Sequence, residues 1–317
     1  MDFALTEEQR ELASTVRSLL GKRADARVEQ YDQTLWQTLC EQIGVPALGI
    51  PEEYGGAGFS LFESLVALEE VGRSLAPSPL LSSLVTSEAL LAGADEDAKQ
   101  RLLPRIAEGE VAAFVDGSGP VLDGDVATVL VAATDDGLVE LQDADRAWVP
   151  TMDQTVRLAT VTGGSTNPIG DATKARDRAR LVGAVGVAAL AVGCAERALD
   201  MTVSYSQERV QFGRPIGSFQ ALKHRMADML VLLEMSRTAS WAASYAVATH
   251  ADDAERLAHV AKSYCCDALS HIAGEAVQLH GGIAITWEHD AQLVFKRAHA
   301  LSQLFDSPRE HRARVAL

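Results

Sequence analysis

The sequence predicts a mainly α-helical protein with a small β insert, and three observations support this fold class. Hydrophobic residues recur at helical spacing through residues 1–110. A short middle region, residues 111–170, carries β-branched runs separated by turn-forming residues. Residues 171–317 return to long helical segments with few glycines or prolines. We therefore expect an N-terminal helical region, residues 1–110, a small middle β unit, residues 111–170, and a C-terminal helical region, residues 171–317.

In the N-terminal region, Thr6 is placed to cap a helix that begins with two glutamates. A second helix is indicated by apolar residues at helical spacing, namely Leu61, Leu65, Leu68 and Val71. The segments 49–60 ("GIPEEYGGAGFS") and 75–80 ("LAPSPL") are typical of loops. In the middle region, "VATVLVAATDDGLVELQ" predicts a β-hairpin that turns at Asp135, Asp136 and Gly137.

Composition excludes several classes of partner and location. The 317-residue chain is 47% hydrophobic, which is enough for a large core, and its net charge of −16 would repel nucleic acids and anionic membranes. The apolar run 181–195 is shorter than the roughly 20 residues of a membrane span, so we expect a buried helix. The four cysteines form no CxxC pair and no secretion signal is visible, which favours reduced thiols in a cytoplasmic protein.

The stretch "ERVQFGRPIGSFQ" marks a break between two helices. Gly213 and Pro215 interrupt the first helix, and Ser218 can cap the second. The second helix then has an apolar stripe made of Phe219, Leu222, Met226, Met229, Leu230 and Leu233. A buried helix stripe does not explain why Arg209 and Phe212 stand at the turn. Arg209 offers planar donors suited to phosphate, and Phe212 offers a face for a planar ring.

A second distinctive stretch is "EAVQLHGGIAITWEHD", residues 275–290. Its helix is expected to end at the pair Gly281 and Gly282, which permits a left-handed turn and a close approach to a ligand. The acidic residues 288–290 favour the start of another helix, with Lys296 and Arg297 balancing them later. The histidines and acids here lack a fixed metal-ligand spacing, so we expect no metal site.

Taken together, the two stretches resemble the C-terminal domain of the acyl-CoA dehydrogenases. "TEEQRELASTVRSLL", "GIPEEYGGAGFS" and "ALEEVGRSLAPSPL" are similar to that family's first helical domain. The resemblance implies an N-terminal helical domain, a middle β-domain that is shortened in this chain, and a C-terminal four-helix bundle. It implies FAD-dependent oxidation of an acyl-CoA between Cα and Cβ. It also implies a clamp for the adenine and pyrophosphate end of an FAD seated mainly in a neighbouring subunit, formed by Arg209, Phe212, Gln278, Gly281 and Gly282, with Gln211 as a further contact.

The middle region departs from the family pattern. A T-E-P-x-A-G-S-D-like loop and a W-I-T-like strand normally line the flavin ring, but this chain has "FVDGSGPVLDGD" and "RAWVPTMD" instead. Trp148 is not expected in the family's strand context, and too few residues remain for the usual β-barrel. We therefore expect that the chain does not enclose a flavin ring by itself.

The family's catalytic glutamate is also missing from its usual place. Counting from Gln278, that place falls at Phe305, with Asp306 beside it as a candidate base. The family's alternative location, on the long preceding helix, has no carboxylate between Asp177 and Glu196. Asp306 is equally compatible with a structural role at a helix end or turn.

This chain keeps the motifs for the adenine end of FAD but lacks those for the flavin ring. In this it resembles the small subunits of actinobacterial α2β2 acyl-CoA dehydrogenases that degrade steroids. The leading hypothesis is thus a subunit whose longer paralogue supplies the ring pocket and base for a bulky acyl-CoA. Two alternatives stay open. One is a self-sufficient homomeric dehydrogenase that uses Asp306, and the other is a flavin-free scaffold subunit.

Overall fold

The computed structural model describes residues 4–28, 31–117 and 119–315, and it confirms a mainly helical fold with a small β insert. The N-terminal helices are α1 (Glu7–Arg23), α2 (Gln33–Gln42), α3 (Leu61–Ser74), α4 (Leu80–Gly93) and α5 (Glu96–Ala107). The C-terminal helices are α6 (Ala172–Glu208), α7 (Gln220–Ala248), α8 (Ala254–His280), α9 (Ala291–Gln303) and α10 (Pro308–Arg314). The strands are β1 (Ala112–Asp116), β2 (Val121–Leu122), β3 (Val129–Thr134), β4 (Gly137–Gln142), β5 (Asp145–Val149), β6 (Leu158–Thr162), β7 (Ser165–Gly170), β8 (Val210–Gln211) and β9 (Arg214–Pro215).

Helix α1 begins as its sequence predicts. The Thr6 hydroxyl accepts a hydrogen bond from the backbone N–H of Gln9, and the Gln9 side chain accepts one from the backbone N–H of Thr6. This reciprocal capping box satisfies two N–H groups that would otherwise lack partners at the helix start. The apolar face of α1 then packs against α3, which also carries the predicted buried stripe.

The central element is α6, a 37-residue helix that packs against α3, α4, α7, α8 and α9. Two glycines allow α3 and α6 to pack closely, because a Cβ at Gly193 would lie 1.9 Å from the carbonyl oxygen of Glu69, and a Cβ at Gly72 would lie 2.3 Å from that of Leu190. By length and composition α6 could cross a membrane. However, 83% of its most apolar 18-residue stretch is buried inside the protein, as expected for a core helix.

The β insert forms two small sheets. The first has the order β1-β3-β4-β7, and the second has the order β2-β6-β5. The predicted hairpin is confirmed: β3 and β4 are antiparallel, with Thr134 opposite Gly137 across a two-residue turn. Trp148 lies in β5 opposite Ala159 of β6, with its side chain about half exposed.

Helix α7 does not begin as predicted. Ser218 ends a short 3-10 helix, Ile216–Ser218, and α7 is preceded by Phe219 without a side-chain cap. Met229 and Leu233 of the predicted stripe are buried, but Leu230 is 48% exposed. The stripe is therefore narrower than the sequence suggested, since only part of this long helix faces the bundle.

Helix α9 begins directly after the acidic segment 288–290, as predicted, but the contacts of its charged residues differ from the prediction. Asp290 precedes the helix without capping it, and its carboxylate binds the guanidinium groups of Arg27 and Arg197. Arg297 does not balance the acidic segment, because it is buried and its Nε lies 2.6 Å from the Asp153 carboxylate. This buried ion pair joins the middle region to the C-terminal bundle.

Candidate functional site

The break after α6 is a two-residue β-hairpin. Strands β8 and β9 pair so that Gln211 lies opposite Arg214, and Phe212 and Gly213 form the turn. Both turn residues have positive φ, at 53° and 77°, which is the conformation of a tight type I′ hairpin turn. Glycine adopts this conformation readily, whereas a phenylalanine there is uncommon. The fold therefore holds an aromatic side chain at the tip of a constrained turn.

The Phe212 ring projects into solvent. It is 92% exposed, although one edge meets the ring of Phe219, with centroids 6.2 Å apart at an interplanar angle of 87°. Arg214 also contacts the Phe219 ring, with its guanidinium 4.1 Å from the ring centroid. The faces of Phe212 remain accessible to a planar ligand group.

Arg209, which follows the last residue of α6, is exposed. Its backbone N–H donates a hydrogen bond to the carbonyl oxygen of Tyr205, and its carbonyl oxygen accepts one from the N–H of Ile216. Within residues 4–28, 31–117 and 119–315, no carboxylate forms an ion pair with its guanidinium. The cation is therefore available to an external anion.

Gln278, Gly281 and Gly282 lie at the C-terminal end of α8, and all three are exposed. Gly281 follows the last residue of the helix with φ of 66°, a conformation that favours glycine. A Cβ at either glycine would meet no atom within 4 Å, so the space above this backbone is open. A ligand could approach the backbone closely here.

Three aromatic residues that the sequence reasoning missed bring the two motifs together. Tyr205 of α6 stacks on His280, the last residue of α8, with ring centroids 4.5 Å apart. His289 packs against His280 at 4.3 Å. Since Tyr205 lies one turn before Arg209, the ends of α6 and α8 lie side by side at one end of the bundle. The available signal was a tyrosine one turn ahead of the first motif and a histidine inside the second.

This end of the bundle suits the adenine and pyrophosphate end of FAD. It combines a guanidinium that pairs with no carboxylate in the described part of the chain, an aromatic ring with accessible faces, and a glycine backbone in open space. Gln211 and Gln278 add exposed amide groups that can donate or accept hydrogen bonds. The donor set therefore fits this part of the cofactor, whereas no cluster of three or more metal-ligating side chains occurs among the described residues.

Asp306 lies elsewhere, in the left-handed segment between α9 and α10. Phe305 and Asp306 have φ of 51° and 70°. The Asp306 carboxylate lies 2.6 Å from a guanidinium nitrogen of Arg314. Partial burial would raise the pKa of Asp306, but the hydrogen bond and charge of Arg314 outweigh it and hold that pKa below its ordinary value.

Phe305 occupies the position at which the family's base was expected, and its ring packs on α6. A Cβ at Gly183 would lie 2.2 Å from Cδ1 of Phe305, so the ring fills the space that this glycine leaves. Arg180 of α6 and Asp306 line one cavity, whereas Tyr205 lies 25 residues further along the helix. At 1.5 Å per residue, that separation is about 38 Å. Asp306 and the predicted clamp are therefore separate sites on this chain.

Known proteins match nearly the whole chain. Residues 6–110 match the acyl-CoA dehydrogenase N-terminal domain, and residues 179–304 match the acyl-CoA dehydrogenase C-terminal domain. The chain is 44% identical to acyl-CoA dehydrogenase IpdE2 of Mycolicibacterium smegmatis, with 98% of each protein covered. It is 45% identical to IpdE2 of Mycobacterium tuberculosis, with 96% of this chain and 95% of that protein covered.

A solved structure shows the same fold at lower identity. It is a variant of the Tcur3481-Tcur3483 steroid acyl-CoA dehydrogenase, with a TM-score of 0.84 and 28% identity over 98% of this chain and 96% of that chain. The matching domains lie on both sides of the small β insert, and the IpdE2 relatives match over nearly their full length. The chain is thus a member of the acyl-CoA dehydrogenase family.

Proposed function

We propose that this chain is one subunit of an FAD-dependent acyl-CoA dehydrogenase that works with a longer paralogue in an α2β2 assembly. Its acyl-CoA substrate would be bulky and steroid-derived, and the reaction would introduce a Cα–Cβ double bond. The similarity to a steroid acyl-CoA dehydrogenase named for two components supports the partner and the substrate class. We place the assembly in the cytoplasm, in keeping with the composition.

In this proposal the chain binds one end of the cofactor. Arg209 pairs with the pyrophosphate, Phe212 offers its face to the adenine, and Gly281 and Gly282 let the backbone approach. Gln211 and Gln278 add hydrogen bonds at the same end. FAD, when bound, supplies the hydride acceptor for the oxidation. The flavin ring pocket and the base that removes the α-proton would come from the longer subunit.

One observation carries the proposal: the exposed, unneutralised Arg209 and the 92% exposed Phe212 lie at the same end of the bundle as Gly281 and Gly282. A ring that is 92% exposed gains little from packing within this chain, so contact with a ligand would give it a role. The self-sufficient alternative is disfavoured, because Asp306 is paired with Arg314. The flavin-free alternative leaves the clamp residues without a role.

The decisive experiment is to coexpress the chain with a longer acyl-CoA dehydrogenase paralogue from the same genome and to count flavins per purified complex. The Arg209→Ala complex should assemble but lose FAD affinity by about 10- to 100-fold, the usual value of a charge-assisted hydrogen bond. Arg256→Ala is the matched control, because Arg256 is an exposed arginine near the opposite end of α8 that pairs with the nearby Asp253. It should leave the flavin content unchanged.

Two results would overturn the proposal. The first is an Arg209→Ala complex that retains FAD as tightly as the wild type, which would favour the scaffold alternative. The second is the chain purified alone with stoichiometric FAD and turnover, which would favour the self-sufficient alternative. Absorbance of the bound flavin at equal protein concentration separates these outcomes.

A further inference from the structure

His280 stands between the two motifs of the clamp. It is the last residue of α8 and is followed directly by Gly281, yet its side chain is only 4% exposed. A ring buried to this extent is not accessible to a cofactor that approaches from solvent. Its role at this position therefore depends on its contacts within the chain.

The His280 ring packs against two other aromatic rings. It stacks on Tyr205, with centroids 4.5 Å apart and an interplanar angle of 29°. The His289 ring lies 4.3 Å from it at 51°, and the rings of Tyr205 and His289 meet edge to face at 6.1 Å and 72°. All three separations lie within the range of attractive aromatic pairs. The cluster therefore joins the end of α6, the end of α8 and the segment before α9.

A hydrogen bond within α8 fixes the orientation of this ring. Nδ1 of His280 lies 2.7 Å from the carbonyl oxygen of Ala276, one turn earlier. A carbonyl oxygen only accepts, so Nδ1 carries the proton and donates it. Burial lowers the pKa of His280, which favours the neutral ring. The ring is thus held both by its own helix and by its two neighbours.

The stacked pair reaches Arg209 through the backbone. The carbonyl oxygen of Tyr205 accepts a hydrogen bond of 2.9 Å from the N–H of Arg209, and the carbonyl oxygen of Arg209 accepts one of 2.8 Å from the N–H of Ile216. The second bond closes the base of the hairpin that carries Phe212 at its tip. A displacement of the Tyr205 ring would therefore move the arginine and the hairpin together.

On the other side, His280 holds the glycine backbone. Gly281 follows it with φ of 66°, and the N–H of Gly281 donates to the carbonyl oxygen of Val277. A Cβ added at Gly281 or Gly282 would meet nothing within 4 Å, so no side chain of the described residues packs on that side of this backbone. The buried ring directly before the two glycines is therefore what fixes them to the bundle.

We propose that His280 is a positioning residue for FAD. Packed against Tyr205 and His289, its ring holds the two motifs of the clamp at the spacing that one FAD molecule requires. This inference rests on the proposed function, in which both motifs bind the same end of the cofactor. His280 itself does not contact FAD. It keeps two parts of the clamp that are far apart in the sequence in a fixed relation before FAD binds, so less ordering is needed on binding.

The test is a double-mutant cycle on FAD affinity. The chain is purified with its longer paralogue, the flavin is removed, and FAD is titrated back while flavin fluorescence reports binding. His280→Ala removes the ring and should weaken FAD binding by about tenfold, as expected for the loss of aromatic contacts. In the Arg209→Ala background the same change should cost at most about threefold, because the arginine is no longer there to be positioned. His280→Phe keeps a ring and should restore most of the affinity.

Two further variants separate positioning from a general loss of stability. Leu269→Ala truncates a fully buried residue of α8 that lies about 16 Å before His280 along the helix. It should lower stability without changing FAD affinity. Tyr205→Leu removes the stacking partner on α6 and should weaken FAD binding as His280→Ala does. Thermal denaturation of each purified complex checks that it is folded.

The inference fails if His280→Ala and Tyr205→Leu leave FAD affinity within about twofold of the wild type. It also fails if their effects are the same with and without Arg209, if Leu269→Ala weakens FAD binding equally, or if His280→Phe binds FAD no better than His280→Ala. Should His280→Ala not fold, Tyr205→Leu and its combination with Arg209→Ala decide the same question. Failure of the proposed function is distinguishable, because Arg209→Ala alone would then leave FAD binding unchanged.

Discussion

Arg209 and Asp306 differ in whether the fold already neutralises their charge. Arg209 is exposed and has no carboxylate partner in the described part of the chain, whereas Asp306 is bound by Arg314. A general base works best when its pKa lies near the operating pH, and the pKa of Asp306 is shifted away from it. The same reasoning from charge thus supports a ligand contact for one residue and a structural role for the other.

The Asp306→Asn variant tests this distinction. In the complex with the partner subunit, we expect the rate of substrate dehydrogenation to change by less than about threefold, because loss of a true acid–base catalyst costs about 10²- to 10⁴-fold. Asp267→Asn, which also removes an exposed aspartate paired with an arginine, is the matched control. A loss of more than a hundredfold with Asp306→Asn, at unchanged flavin content, would restore this residue as the base.

Residue types near the two motifs were predictable, but their partners were not. The sequence placed Arg209, Phe212 and the glycines by motif and turn chemistry. It could not show that Tyr205 stacks on His280, since that contact joins two helices far apart in the chain. For the same reason it assigned Arg297 to its own helix start, whereas the side chain reaches Asp153 in the middle region.

Among the elements, those with local signals were predicted well. The start of α1 depends on Thr6 and Gln9, and the β3–β4 hairpin depends on a two-residue turn, so neighbouring residues suffice. The start of α7 was wrong because a 3-10 helix ends at Ser218 and leaves no side-chain cap. The β insert was recognised, but its crossing from β1 to a parallel β3 has no local signature.

The packing of α6 against the segment before α10 is testable through Gly183. In Gly183→Ala the new Cβ would overlap the Phe305 ring, whose Cδ1, Cε1 and Cγ lie within 2.6 Å of it, so the ring has to move as a whole. Such overpacking costs about 1–3 kcal/mol. Urea unfolding at one pH measures the change.

Gly274→Ala is the matched control, since Gly274 also lies inside a helix but an added Cβ meets nothing within 4 Å. It should be neutral or stabilise by up to about 1 kcal/mol through helix propensity. Equal unfolding midpoints for the two variants would contradict the packing described for Phe305.

For the whole molecule, buried carboxyl groups couple folding to pH. Burial raises the pKa of Asp123 and of Glu69 to about 7 each. Asp123 is 5% exposed and accepts a hydrogen bond of 2.8 Å from the Ser82 hydroxyl. Glu69 accepts one of 3.0 Å from the Trp241 indole. In the folded protein these carboxyl groups therefore keep their protons up to about pH 7. In the unfolded chain, carboxyl groups have pKa values near 4 and lose their protons at lower pH.

The sign of the effect follows from these pKa values. The contribution of Asp123 to stability is fully present below about pH 4 and decreases as the pH rises towards 7. Asp123→Asn removes this titration, so the variant should gain stability relative to the wild type between pH 5 and 7, by at most about 1.4 kcal/mol per pH unit. Asp252→Asn, at an exposed position, controls for the loss of a carboxylate. A difference in unfolding free energy that does not vary with pH would refute the assignment.

The 37-residue length of α6 limits where the polypeptide can be cut into two fragments or circularly permuted. One uninterrupted helix packs against the N-terminal helices α3 and α4 and against the C-terminal helices α7, α8 and α9. A chain divided within α6 would therefore expose apolar surface on each fragment. Circular permutants opened inside α6 should therefore not accumulate as folded protein.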